Sequence, residues 1–117
     1  MNIETLREFC LGFPYVTEDM PFGPETLVFR VAGKIFLLVS LDSEALSFNV
    51  KCDPELAVTL REKYPGMVMP GYHMSKKHWN TIKPGISAPG ALLKEWIGHS
   101  YHLVFNSLPK KTRESLP

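Results

Sequence analysis

A chain of 117 residues, 44% of them hydrophobic, is long enough to bury the core of one domain and too short for two domains of ordinary size. No apolar run approaches the roughly 20 residues that cross a bilayer, which excludes a membrane-spanning helix, and the two cysteines, Cys10 and Cys52, exclude a disulfide framework. The formal net charge of +1 excludes the strongly basic class of duplex-binding domain.

The predicted elements begin with a helix and an antiparallel meander. Asn2 can cap a helix whose apolar residues recur at helical spacing and which ends before Pro14. Strand signals follow at 26–31, 34–41 and 45–52, joined by short hairpin connections. In the third strand apolar and polar residues alternate, so one face should contact the core and the other water or a ligand. The apolar set is Leu46, Phe48, Val50 and Cys52, and the polar set is Ser47, Asn49 and Lys51.

Two further helices and a hairpin follow. The sequence Asp53-Pro54-Glu55 offers a capping residue, a proline at the first helical position and an acid in the first turn, and it predicts a helix that ends near Tyr64. Residues 67–84 predict a loop or hairpin that projects from the sheet, with a strand at 78–83. A last helix should begin near residues 87–89 and end at Pro109.

This order of elements predicts an α+β fold, in which a mainly antiparallel sheet carries helices on one face and leaves the other partly open. We expect a single domain over residues 1–109 and a basic, flexible tail at 110–117. The N-terminal Met-Asn-Ile-Glu-Thr lacks the basic and apolar regions of a signal peptide. We therefore expect a cytoplasmic protein with reduced thiols, monomeric and without a membrane partner.

Charge is sorted along the chain. Residues 1–62 hold five basic residues against ten acids, a net −5, whereas residues 63–94 hold five lysines and no acid, a net +5. Within the basic part, residues 71–81 combine two lysines, two histidines and two aromatic residues without a carboxylate. Charge sorting of this kind bears on partners and not on fold.

The acid-free segment is a candidate nucleic-acid contact. Lys76 and Lys77 could neutralise phosphates, while Trp79 or Tyr72 stacks on a base or sugar. Arg30 and Lys51, on the polar faces of nearby strands, could extend the patch. The full candidate set is Arg30, Lys51, Tyr72, His73, Lys76, Lys77, His78 and Trp79. The alternative is that both lysines are solvated turn residues and Trp79 belongs to the core.

Other side chains are of types that bind metals or react as nucleophiles, but they lack the sequence spacing of known motifs. His73 and His78 with Cys52 or Asp53, or His99 with His102, could hold zinc or iron, but no metal-binding motif contains them. Cys52 precedes a helix start, where a thiol pKa can fall, yet its place among apolar residues favours a buried, inert thiol. No catalytic constellation or cofactor motif is present. We predict a protein that is not an enzyme and has no cofactor.

Four stretches together resemble the MmcQ/YjbR family. They are Thr26-Leu-Val-Phe-Arg-Val-Ala-Gly-Lys-Ile-Phe, Val50-Lys-Cys-Asp-Pro-Glu-Leu-Ala, Pro70-Gly-Tyr-His-Met-Ser-Lys-Lys-His-Trp-Asn-Thr and His99-Ser-Tyr-His-Leu-Val. The string Lys-Lys-His-Trp-Asn-Thr is the most specific of these. The resemblance covers nearly the whole chain and implies a small bacterial cytoplasmic protein with a CyaY-like α+β fold and a double-wing arrangement that binds DNA.

The resemblance also places individual residues. It puts Lys51 and Cys52 at the end of a central strand, and it puts the candidate residues between Tyr72 and Trp79 on the segment that approaches a ligand. It implies no catalytic set. The iron-binding frataxins resemble this chain in architecture, but Glu4 and Glu8 are the only acids of the first predicted helix, so the acidic ridge that would bind iron is largely missing.

Three hypotheses follow. The leading one is a non-enzymatic DNA-binding protein whose phosphate contacts come from Lys76 and Lys77. The alternative is a module that binds an acidic protein or a small anion with the polar sheet face of Ser47, Asn49 and Lys51 beside the segment from Tyr72 to Trp79. The third is a metal-dependent activity that uses His73, His78 and Cys52.

Overall fold

Six strands form one antiparallel sheet in the part of the chain that the structure describes. The computed structural model describes residues 1–72 and 74–117. The strands are β1 (Val16–Asp19), β2 (Thr26–Val31), β3 (Lys34–Ser40), β4 (Phe48–Lys51), β5 (Val68–Pro70) and β6 (Trp79–Ile82), and the helices are α1 (Ile3–Leu11), α2 (Pro54–Lys63), α3 (Gly90–Ser107) and α4 (Lys110–Ser115). The strand order is β1-β2-β3-β4-β6-β5, and every neighbouring pair is antiparallel. The predicted α+β class is confirmed.

The capping residues of the first two helices explain where they begin. Asn2 and Thr5 form a capping box, in which each side chain accepts a hydrogen bond from the backbone N–H of the other at 2.9 Å. Asp53 caps α2 by accepting from the N–H of Leu56 at 3.2 Å, with Pro54 in the first turn. Both predicted helix starts are confirmed.

Helices α1 and α3 pack on one face of the sheet, while α2 lies against β5. The core between the layers contains fully buried side chains from both sides, among them Leu6, Ile97, Phe29, Phe48 and Ile82. A buried hydroxyl fastens α3 to two strands, because Ser100 Oγ donates to the carbonyl oxygen of Phe36 at 2.5 Å and accepts from the N–H of Lys51 at 2.8 Å. These two bonds fix the position of α3 relative to the sheet.

The opposite face of the sheet carries no helix among the described residues. One row of aligned residues crosses it from β2 to β5: Val28, Leu38, Asn49, Thr81 and Met69. In β4 the predicted alternation is confirmed, since Phe48 and Val50 are buried toward the helices while Asn49 and Lys51 are half-buried on the other side. We call this second side the open face.

Several elements differ from the predictions. Strands β1 and β5 were not predicted, and β4 begins three residues later than the expected Ala45. Residues 110–117, predicted as a tail, include the short helix α4, and the hydroxyl of Tyr15 donates to a backbone oxygen of Pro117. Within residues 1–72 and 74–117, no helix combines the length and the apolar character needed to cross a membrane.

Candidate functional site

The chain turns sharply between β5 and β6, at residues 75–79, which we call the basic turn. The N–H groups of His78 and Trp79 both donate to the carbonyl oxygen of Ser75, at 3.2 and 2.9 Å. The carbonyl oxygen of His78 accepts from the N–H of Cys52 at 2.8 Å, which joins the turn to the end of β4. Because these bonds fix the backbone, the exposed side chains of Lys76, Lys77 and His78 project from a defined frame.

Arg61 of α2 fixes the basic turn through hydrogen bonds to its backbone. Its Nη2 donates to the carbonyl oxygens of Lys76 and, at 3.2 Å, of Trp79. Its Nε donates to Oδ1 of the buried Asn80 at 2.8 Å. A guanidinium can serve these acceptors from two nitrogens in one plane, whereas the three donors of a lysine sit on a single nitrogen and cannot reproduce this geometry.

Arg61 is not among the contact residues predicted from the sequence, although the sequence carries a signal for it. Arg61 stands four residues after the buried Ala57 and one residue after the buried Leu60, which places it on the helix face that packs inward. A basic residue at such a position must find acceptors, because burying an unpartnered polar group is costly. The pattern indicates a structural arginine, but it cannot identify the acceptors.

Gly71 permits a close approach of the two hairpin strands beside the turn. Its N–H donates to the carbonyl oxygen of Trp79 at 2.9 Å. A Cβ atom at position 71 would lie 2.8 Å from Trp79 Cβ and 3.0 Å from the Trp79 carbonyl oxygen. Only glycine fits here, because any side chain would collide with Trp79. The close contact also fixes the position of the Trp79 backbone, from which the indole extends.

The structure brings most of the predicted contact residues together. Lys51 is paired with Trp79 in the register of β4 and β6, and both are half-buried on the open face. Tyr72 precedes the basic turn with 73% of its surface exposed. His73, also a predicted contact, lies outside the described residues.

Arg30 lies apart from this group. It belongs to β2, two strands away from Lys51, which corresponds to about 10 Å across the sheet. Its Nε donates to Oδ1 of Asp19 at 3.0 Å, and its Nη1 donates to the carbonyl oxygen of Gly33 at 3.2 Å. Its charge is therefore compensated on the β1 side of the sheet.

The cations around the basic turn have no carboxylate at ion-pair distance in residues 1–72 and 74–117. The ion pairs in these ranges are Arg7–Glu18 at 2.6 Å, Arg30–Asp19 at 3.0 Å and Lys110–Glu114 at 3.8 Å. Arg61 bonds to carbonyl and amide oxygens, which leave its positive charge uncompensated. The turn thus concentrates positive charge from Arg61, Lys76 and Lys77.

The thiols and histidines do not form a reactive or metal-binding cluster in the described chain. Burial is the main cause that raises the pKa of Cys52 to about 11; Asp53 raises it further, and Arg61 acts in the opposite direction. Burial raises the pKa of Cys10 to about 12. His99 Nε2 accepts from the N–H of Asp53 at 3.2 Å. No three His, Cys, Asp or Glu side chains among the described residues are grouped so as to hold a metal ion.

A second feature is a groove of about 830 Å³ on the open face. Its apolar lining includes Ile35, Leu38, Met69 and Pro70 along the sheet, with Phe22, Tyr72 and Met74 from the loops beside it. Its polar lining is Thr26, Ser40, Ser47, Asn49, Thr81 and Lys83. Ser47 and Asn49, predicted to face a ligand, line this groove, whereas Lys51 is not part of its lining and Lys83 supplies the ammonium group.

Comparisons with known proteins give consistent matches over nearly the whole chain. The sequence pattern of the YjbR family matches residues 11–103. The chain is 40% identical to the uncharacterized protein YbdF of Escherichia coli O157:H7, over 95% of this chain and 90% of that protein. It is 27% identical to the uncharacterized protein YjbR of Escherichia coli strain K12, over 99% and 98%. The crystal structure of Deinococcus radiodurans protein DR2400, with domain DUF419, superposes with a TM-score of 0.92 at 35% identity, over 99% of this chain and 89% of that one.

Proposed function

This chain belongs to the YjbR family, and from the geometry of the basic turn we propose that it is a non-enzymatic, cytoplasmic DNA-binding protein. The observation that carries the proposal is that Lys76 and Lys77 are exposed and unpaired with any carboxylate of the described chain, while the backbone beneath them is fixed by Arg61. A fixed backbone lowers the entropy that two flexible lysines lose when they contact phosphates.

The residues divide into two roles. Lys76 and Lys77 contact phosphates, and Lys51, next to Trp79 in the sheet, is placed to make a third contact. Tyr72, exposed beside the turn, is better placed than the half-buried Trp79 to stack on a base or to enter a groove. These contacts carry no hydrogen-bond code for base identity, so the proposed binding has little sequence specificity.

The proposed affinity is modest and depends on salt. Three phosphate contacts correspond to a slope of about −2.7 in a plot of log binding constant against log salt concentration. A protein with a formal net charge of +1 adds little long-range attraction to this local term. We expect binding to be measurable at low ionic strength and to fall steeply toward physiological salt.

Fluorescence anisotropy of labelled duplex and single-stranded oligonucleotides tests the proposal. Wild type is compared at several salt concentrations with the double variant Lys76→Glu, Lys77→Glu. The matched control is Lys110→Glu, Lys111→Glu, which makes the same change of net charge on exposed positions of α4. We expect the first variant to lose most of the affinity and about two units of salt slope, and the control to lose much less.

Equal losses in both variants would indicate bulk charge and not a site, and no binding by the wild type at low salt would overturn the proposal. If the wild type does not bind DNA, an acidic protein becomes the better candidate for a partner of these cations, because its carboxylates need not match the spacing of a phosphate backbone.

A further inference from the structure

We propose that the groove on the open face binds a small organic anion with an apolar body of aromatic rings. The proposal does not rest on DNA binding, because Lys76 and Lys77 are absent from the lining of the groove, although Tyr72 belongs to both sites. Its basis is the combination of a groove of ligand size, an apolar floor, free amide hydrogens and a single cation. A second cavity, beside Val50 and Trp96, has a volume of only about 10 Å³.

The size and lining of the groove fit a small molecule. Ligand sites are usually about 300–1,000 Å³ and are mainly apolar, with a few polar groups that fix orientation; this groove has about 830 Å³. Leu38 and Met69 contribute apolar side chains of the sheet to the groove, and Phe22, which also lines it, has 65% of its surface exposed. A ring can lie against these side chains and contact aromatic and thioether groups at its edges.

A short hydrogen-bond chain orients one polar group of the groove. The N–H of Tyr72 donates to Thr81 Oγ1 at 3.2 Å, and Thr81 Oγ1 donates to Asn49 Oδ1 at 2.5 Å. Because Asn49 uses its oxygen as acceptor here, its Nδ2 hydrogens remain as donors, and no described residue accepts from them. Donors without a protein partner inside a groove are suited to a carboxylate or sulfonate oxygen.

The charge of the groove selects the sign of the ligand. Lys83 is the only charged residue among the described residues that line it, and neither Asp nor Glu contributes to the lining. One carboxylate is hydrogen-bonded to a lining residue: Oδ1 of Asp42 accepts from Ser40 Oγ at 2.7 Å. One ammonium group and one free amide therefore complement a single acidic group, and the apolar floor complements the rest of the molecule.

Anilinonaphthalene sulfonate is a suitable probe, since it joins an aromatic body to one acidic group and fluoresces when it leaves water. For a ligand of this size the dissociation constant should be on the order of tens of micromolar. Phenylnaphthylamine has the same ring body without the acid and serves as the neutral comparison. We expect saturable binding of one sulfonate per chain to the folded protein, with near-ultraviolet circular dichroism as the check on folding.

Two variants separate the apolar and the charged contributions. Ser47→Phe adds a large side chain to the lining of the groove, and we expect it to abolish saturable binding of both probes. Lys83→Met removes the ammonium group, and we expect roughly three- to tenfold weaker binding of the sulfonate with little change for the neutral probe. The control Lys111→Met removes an exposed charge on α4, outside the groove, and should change neither.

The outcomes are decisive in both directions. Sulfonate binding that is lost in Ser47→Phe and weakened selectively in Lys83→Met supports the site. Absence of saturable binding, equal binding in Ser47→Phe, or equal effects of Lys83→Met on both probes would overturn it. The variant Lys76→Glu, Lys77→Glu should bind the sulfonate as wild type does, so the failure of one proposal would not be mistaken for failure of the other.

Discussion

At the scale of single residues, Arg61 determines the shape of the basic turn. Its guanidinium serves two carbonyl oxygens of the turn and the side-chain oxygen of Asn80, which is 1% exposed. Asn80 Nδ2 has no hydrogen-bond partner among the described residues. Loss of Arg61 would leave both polar atoms of a buried amide unsatisfied, so the turn and the sheet beneath it depend on the same side chain.

The substitution Arg61→Lys tests this dependence because it keeps the charge and removes the planar fork. We expect the free energy of unfolding to fall by about 1–3 kcal/mol, since at least one of the three acceptors loses its donor. We also expect weaker binding to duplex DNA, by roughly three- to tenfold, because the lysines of the turn are less ordered.

Urea unfolding and anisotropy on the same preparation measure both effects, with Arg113→Lys on the exposed helix α4 as the control. A loss of stability with unchanged DNA affinity would separate Arg61 from the proposed function. Unchanged stability would contradict the hydrogen-bond assignment itself.

At the scale of secondary-structure elements, the hairpin of β5 and β6 carries the site. Gly71, directly after β5, and Trp79 of β6 are in close contact, and β5 is the edge of the sheet. The edge position explains why β5 can end at Pro70. Proline has no N–H to donate, and on an edge strand that missing donor costs no hydrogen bond between strands. The segment that joins the two strands of the hairpin contributes Tyr72 and Met74 to the lining of the groove, and it continues into the basic turn, which is outside that lining.

Gly71→Ala should therefore disturb the hairpin. The added Cβ would lie 2.8 Å from Trp79 Cβ, so the strands must separate. We expect a loss of about 1–3 kcal/mol in unfolding free energy and a change in tryptophan fluorescence, because the surroundings of Trp79 change. In the control Gly90→Ala, at the first residue of α3, no heavy atom lies within 4 Å of the new Cβ, and stability should stay within about 1 kcal/mol. Equal melting curves for Gly71→Ala and wild type would contradict the close approach.

The sequence predicts the elements that have local signals. Caps at Asn2 and Asp53 and the alternation in β4 are local patterns, and the structure confirms them. β1 has no such pattern, because it spans four residues that end in Glu18 and Asp19; its pairing with β2 and the ion pairs of these acids to Arg7 and Arg30 hold it in the sheet. Such partners become visible only when the fold brings distant residues together.

The candidate site shows the same limit. Composition alone identifies Lys76 and Lys77, because an acid-free basic segment is visible in the sequence. The roles of Arg61, Gly71 and Lys83 depend on which strands are neighbours and in which register, and this information is not local. The same register separates Arg30 from the other predicted contacts, although the sequence groups them by type.

At the scale of the whole molecule, strand order separates the acids of the first helix and first strand from the basic turn. The acids of β1 lie at one edge of the sheet, and α1, with Glu4 and Glu8, packs beside that strand. The basic turn precedes β6, which lies next to the opposite edge. The lysines of the turn therefore lie on the opposite side of the sheet from Glu4 and Glu8, whereas α2 beside the turn carries Asp53, Glu55 and Glu62.

The central claim is that the basic turn contacts DNA, and amide NMR spectra of isotope-labelled protein titrated with a short duplex at low salt test it most directly. We predict that the amides of Lys76, Lys77 and His78 shift first, together with that of Cys52, whose N–H donates to His78. Added salt should reverse these shifts. Shifts confined to α4 or spread evenly over the surface, or no shift at low salt, would contradict the claim.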